Sequence, residues 1–163
     1  MMEPTMIVLP DLGDVREFLR LLLDRDVVVT RVPTRLALDA KTPGVIVEFL
    51  SAQDALISVM VVDLPFACYA GAALTRVPAN AARDSIARGA MNDTMSENFL
   101  EVANVMSGLF RRFELRVRAG RVITNLKDIP KEVAELVAKP RRRVDTDVMI
   151  ADYGKSRVSF LVS

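Results

Sequence analysis

The chain has 163 residues, 51% of them hydrophobic and 26% charged, with 22 basic against 21 acidic residues and a formal net charge of +1. That length allows one domain, spanning 1–163, with one sizeable core, and the near balance of charge argues against a nucleic-acid binder, which would carry a basic excess. There is no His and a single Cys, which excludes imidazole bases, His-ligated metals and an internal disulfide for this chain.

Met6 to Leu9 form a short apolar run closed by Pro10, read as a first strand or an ordered arm. The preceding residues lack a basic n-region and no apolar run reaches the length of a membrane span, so a soluble cytoplasmic protein with no membrane partner is expected. Asp11 offers an N-cap, and Leu12, Val15, Leu19 and Leu22 recur at helical spacing through Leu23. Asp24-Arg25-Asp26 ends that helix, and Val27 to Val29 begin a β-branched strand that Pro33 breaks.

Gly44 opens Val45 to Leu50 as a strand, Ser51 to Asp54 supply a turn, and Leu56 to Leu64 return as a second strand. Phe66 to Leu74, rich in Ala, is expected as a third, completing a meander. Pro78 and Asn80 mark a helix running to about Met91. A long helix is expected from about Thr94 to Phe113, followed by a short one between Pro130 and Val137 that Pro140 stops. Arg143 to Ile150 and Val158 to Val162, around the turn Asp152 to Ser156, read as a terminal hairpin. No internal repeat is visible. The expected fold class is α/β (α+β): an antiparallel sheet meander with long helices packed on one face.

At about 100° per residue, Met95, Phe99, Val102, Met106, Leu109 and Phe113 share one face of the long helix, which Ala103 and Phe110 widen into a core stripe. The opposite face carries Glu97, Glu101, Asn104 and Gly108. Asn is a poor helix-interior residue, and Gly costs about 1 kcal/mol relative to Ala there. Their presence in mid-face points to a surface used by a partner whose backbone comes close.

Glu101-Val102-Ala103-Asn104-Val105-Met106-Ser107-Gly108 resembles the E-x-x-N-x-x-x-G segment of the CheC/CheX/FliY chemotaxis phosphatases. The order of elements is similar to theirs over most of the chain, whereas residue identity is confined to this segment. The resemblance implies that Asn104 orients the water attacking the aspartyl phosphate of a CheY-like response regulator, and that Glu101 pairs with a regulator lysine. Glu97 and Gly108 would contact the partner. It further implies no cofactor of the chain's own, magnesium being carried by the regulator, and a homodimer formed through sheet edges. Such chemistry suits a chain without His, because an activated aspartyl phosphate can be hydrolysed by positioning and electrostatics.

The sequence departs from that family's pattern at named places. Position 97, usually Asp or Ser, is Glu; Pro130 lies farther from the Asn, as an insertion around Arg116 to Arg121 would produce; and the first helix has Arg20 three residues after Glu17 where a second motif would need Asn. A single central motif is similar to CheX rather than to the two-site CheC pattern. Two other readings stay open: a non-catalytic binding or scaffold module of the CheC/FliM kind in chemotaxis or two-component signalling, and a purely structural oligomerisation domain. Cys68 sits in an apolar run and is expected to be a buried, inert thiol. Arg141 to Arg143 read as solvated charge at a strand entrance, and Asp11, Asp14, Asp24 and Asp26 do not have calcium-loop spacing.

Overall fold

Among the described residues six strands form one antiparallel sheet, whose inner strands, Gly44–Ser51 and Leu56–Asp63, are buried on both faces along most of their length. The computed structural model describes residues 8–113 and 116–163. Met6 and Ile7 of the first expected strand, and the side chain of Phe113, lie outside the described residues, while Val8 to Pro10 have no regular structure. The strands are β1 (Val27–Arg31), β2 (Gly44–Ser51), β3 (Leu56–Asp63), β4 (Val117–Ile123), β5 (Arg142–Ile150) and β6 (Gly154–Val162). The helices are α1 (Leu12–Leu23), α2 (Leu64–Leu74), α3 (Ala79–Arg88), α4 (Asp93–Met106) and α5 (Lys131–Ala138). Among the described residues no helix is long and apolar enough to cross a membrane.

The sheet runs β1-β5-β6-β3-β2-β4. That order maps onto itself when β1, β2 and β3 are exchanged with β4, β5 and β6. Each half is a helix, an edge strand and a hairpin, and each edge strand pairs with the hairpin of the other half: β1 with β5 and β4 with β2. The halves meet where β3 pairs with β6. The chain thus contains a repeat of topology that its residues do not show.

The fold class is as expected, an antiparallel sheet with the long helices on one face, but one strand of the meander is replaced. Phe66 to Leu74 is not a strand; it lies in α2. Asp63 caps that helix, its Oδ1 accepting from the Phe66 N–H at 3.0 Å, and Pro65 fits the first turn. Eight of its residues are buried, and an all-round apolar helix carries no 3.6-residue pattern to read. The meander is therefore only the hairpin β2–β3. Helix α3 also stops short of Met91: Gly89, at φ 84°, takes the left-handed cap conformation and its N–H bonds the carbonyls of Ser85 and Ile86.

Strand β4 has no counterpart in the sequence reading. As an edge strand it pairs only with β2, so Arg118, Gly120 and Arg121 interrupt its apolar alternation. The bulge between Val47 and Phe49 is held by Glu48, 2% exposed, whose carboxylate accepts the Arg121 N–H at 3.0 Å. The terminal hairpin is longer than expected, β6 beginning at Gly154.

One core lies between the sheet and α1, α2 and α4, centred on Phe49, Phe66, Phe99, Phe110 and Phe160. A second, smaller one lies on the other face, where Val133 and Leu136 of α5 meet Ile46, Val59, Val61 and Leu161. Beyond α5 that face is polar. Asp145, 6% exposed, takes Arg143 through both oxygens, the Ser159 hydroxyl at 2.5 Å and the Leu36 N–H at 3.0 Å. Burial opposes its charge, yet Arg143, Ser159 and Leu36 outweigh burial and hold the carboxyl below its ordinary 3.8. A carboxylate depressed on folding stabilises fully above its unfolded value and loses that contribution as pH falls through the folded one. Asp145→Asn should therefore cost about 3 kcal/mol at neutral pH by orphaning Arg143. Denaturant melts of both proteins should show the gap narrowing as the pH drops below 3.8.

Candidate functional site

Helix α4 begins at Asn92, whose side chain accepts the Met95 N–H at 2.9 Å, with Asp93 favourably placed in the first turn. Met95, Phe99, Val102, Ala103 and Met106 are buried as the spacing predicts. Phe99 meets Phe66 of α2 edge-on, with ring centroids 6.3 Å apart.

Two features set the helix's position. A Cβ on Gly71 of α2 would fall 2.7 Å from the Met95 carbonyl oxygen, so only glycine lets the two backbones come this close. One turn on, the Asn98 carboxamide donates to the Gly71 carbonyl and to the Thr75 hydroxyl, both at 2.8 Å. That grip on the end of α2 fixes the rotation of α4 about its axis. Neither residue stood out in the sequence: Gly71 lay in an expected strand, and Asn98 beside the polar face rather than on it.

With the rotation fixed, Glu97, Glu101 and Asn104 are exposed together on the outer face. Glu101 and Asn104 lie one turn apart, so their Cβ atoms are about 5–6 Å from each other. Among the described residues neither side chain has a hydrogen-bond or ion-pair partner. Val105, beside Asn104, joins Asp14, Glu17, Phe18, Leu21 and Leu22 of α1 in lining an apolar groove of about 420 Å³. Leu21 and Leu100, 66% and 54% exposed, flank the same region.

Gly108 departs from its expected place. The α-helix ends at Met106, and Ser107–Phe113 form a 3-10 helix. The Ser107 hydroxyl donates to the Asn104 carbonyl at 2.5 Å, and its N–H bonds three carbonyls at once, tightening the last turn. Residues 106 to 110 are consequently all buried, Gly108 among them, so it cannot supply an open surface to a partner. Leu109 and Phe110 do reach the core. On α1, Glu17 and Arg20 close on each other at 2.5 Å, and that hydrogen bond holds the Glu17 carboxyl below the usual carboxylate range.

Cys68 is buried in α2, and burial, aided by Asp63, pushes its thiol up to about 12, leaving no thiolate for nucleophilic work. Among the described residues no group of three or more acidic or Cys side chains is placed to hold a metal ion.

No family model and no curated protein sequence matches the chain. Its structure is similar to that of Thermotoga maritima FliY, with a TM-score of 0.61 at 15% identity, covering 93% of this chain and 83% of that one. The FliM middle domain of H. pylori gives 0.56 at 7% identity over 93% and 84%, and the chemotaxis protein CheX of Vibrio vulnificus 0.53 at 12% over 93% and 95%. The chain therefore has the CheC/CheX/FliY-type fold.

Gly71→Ala should push α4 off α2 and lower stability by about 1–3 kcal/mol. The amide resonances of Glu101 and Asn104 should shift with it in NMR spectra, whereas an Ala at exposed Arg83 should move neither.

Proposed function

We propose that the protein docks the outer face of α4 on a phosphorylated CheY-like response regulator and hydrolyses its aspartyl phosphate. The observation that carries this reading is the pair Glu101 and Asn104, both exposed on consecutive turns of one face and neither side chain engaged among the described residues. A side chain without a partner gives up no internal bond on meeting a new one, and ordering it costs only about 0.5–1.5 kcal/mol.

In this reading Glu101 pairs with a regulator lysine, and Glu97, one turn earlier, adds negative charge to the same approach. Docking places the Asn104 carboxamide over the phosphosite, where its oxygen accepts from a water. The water oxygen attacks phosphorus, the bond between phosphorus and the carboxyl oxygen breaks, and phosphate leaves as the carboxylate is restored. Magnesium, which neutralises the phosphoryl oxygens in such reactions, is assigned to the regulator. Nothing in the step needs an imidazole. The exposed Leu21 and Leu100 give a macromolecular partner apolar contact beside the polar pair.

Phosphate release from a phosphorylated regulator, followed with and without the protein, tests the proposal. Asn104→Ala should lose roughly a hundredfold in rate with little change in half-saturation, because it removes positioning and leaves docking. Glu101→Ala should raise the half-saturating regulator concentration roughly tenfold, the effect of losing a charge-assisted contact. No acceleration by the unaltered protein, across cognate regulators, would overturn the catalytic reading.

One observation favours a second reading, a non-catalytic binding module: Glu97 and Gly108 both depart from what a catalytic face would present, the first in length and the second by burial. Binding of a regulator without shortening its phosphate lifetime would establish it.

A further inference from the structure

Helix α1 is apolar over more of its circumference than the core uses. At about 100° per residue its apolar positions, from Leu21 round to Leu23, spread over about 200°, whereas a stripe facing a core needs little more than about 100°. The side chains it buries are Val15, Leu19 and Leu23. The surplus is Phe18, which is half-buried, and Leu21, which is 66% exposed. Both line the groove of about 420 Å³ between α1 and Val105 of α4. Exposed apolar side chains gathered in one groove mark an interaction surface rather than a core.

The other wall brings charge to that groove. Glu97, Glu101 and Val105 follow one another at four-residue steps, so one stripe of α4 carries two carboxylates and then enters the groove. Asp93 precedes them by the same step. All three acids are exposed, and among the described residues none has a hydrogen-bond or ion-pair partner; α4 itself holds no Lys or Arg. Like charges at this spacing weaken a helix until cations join them. Glu17 in the groove is already engaged by Arg20, so the open negative charge is that of α4. In a chain whose formal net charge is +1, an acidic stripe running into an apolar groove complements a segment that is apolar on one side and basic beside it. A second copy is a poorer occupant, because an isologous contact would bring the same acids to the same groove.

We propose that the α1–α4 groove seats a basic amphipathic segment of the response regulator, its apolar side chains against Leu21 and Val105 and its cations along Glu101 and Glu97. This rests on the regulator-docking reading and adds α1 to it as the element that selects the partner.

NMR spectra of the protein with and without a CheY-like regulator activated by beryllofluoride, together with phosphate release from the phosphorylated regulator, test the proposal. Amide shifts are expected at Phe18, Leu21 and Leu22 as well as at Glu101 and Asn104. Leu21→Ser should raise the half-saturating regulator concentration roughly tenfold, the effect of withdrawing one apolar side chain, and Leu21→Met should bind as the parent does. Exposed Arg83→Gln should change nothing, and melting temperatures should confirm that all variants fold. Binding should weaken as salt rises, because salt screens opposite charges. Shifts on α4 with none on α1, or a Leu21→Ser variant that binds as the parent does, would overturn the groove and leave the phosphatase reading standing. Binding at α1 without faster phosphate release would overturn the phosphatase reading and support the groove. Affinity that salt leaves unchanged or raises would overturn the basic partner. A dimer of the protein alone that Leu21→Ser dissociates would overturn the proposal in favour of a second copy, and shifts at neither helix would overturn both readings.

Discussion

The placement of the outer face of α4 depends on one close contact, the approach of its backbone to Gly71 of α2. The missing side chain at Gly71 brings the helices together, and the Asn98 carboxamide, bonded to the Gly71 carbonyl and the Thr75 hydroxyl, stops α4 from rolling. Hydrophobic burial alone would not achieve this. An apolar stripe is wide, and several rotations of α4 would bury nearly the same area. Directional hydrogen bonds and a steric exception select one rotation, and that rotation exposes Glu97, Glu101 and Asn104.

The two faces of the sheet are stabilised by different means. Towards the long helices the core is aromatic and aliphatic, with Phe49 against Phe110 and Phe66 against Phe99. On the other face, outside the cover of α5, Asp145, Arg143 and Ser159 form a closed polar unit. Such a unit contributes little net stability compared with apolar packing, but it strongly specifies geometry. Here it fixes the course of the segment after β1 together with Leu36, which is buried in the smaller core, and Leu38, which packs against that core.

Much of this architecture was legible in the residues, and its gaps have physical causes. Asp11 and Asp24 delimit α1, and Gly44 opens β2, because caps and turn residues act locally. The outer face of α4 was readable because a regular helix projects spacing into direction, and that projection failed where regularity ended, at the Ser107 hydroxyl. Helix α2 was missed because burial on all sides removes the polar positions from which a period is inferred. Strand β4 was missed because an edge strand tolerates arginines and a glycine. Asn98 and Gly71 could not be recognised, since their importance lies in a contact between helices. The resemblance carried by Glu101 and Asn104 anticipated the fold correctly while leaving the chemistry to be tested at the bench.

The exchange of edge strands between the two halves has a consequence for how the chain acquires its shape. Val27 pairs with Ile150, and β3 completes its neighbourhood only when β6 arrives. No early stretch of the sheet can therefore close on itself, and most of its ladders join distant parts of the sequence. Such topologies form slowly, because loop closure must be paid for before the distant pairings reward it. On the ribosome, β1 and β3 emerge with open edges and wait for the hairpin 142–162, while β2 waits for β4. During that interval the apolar β2 and β3 are exposed to wrong partners, so assistance during synthesis matters more for this chain than its final packing suggests.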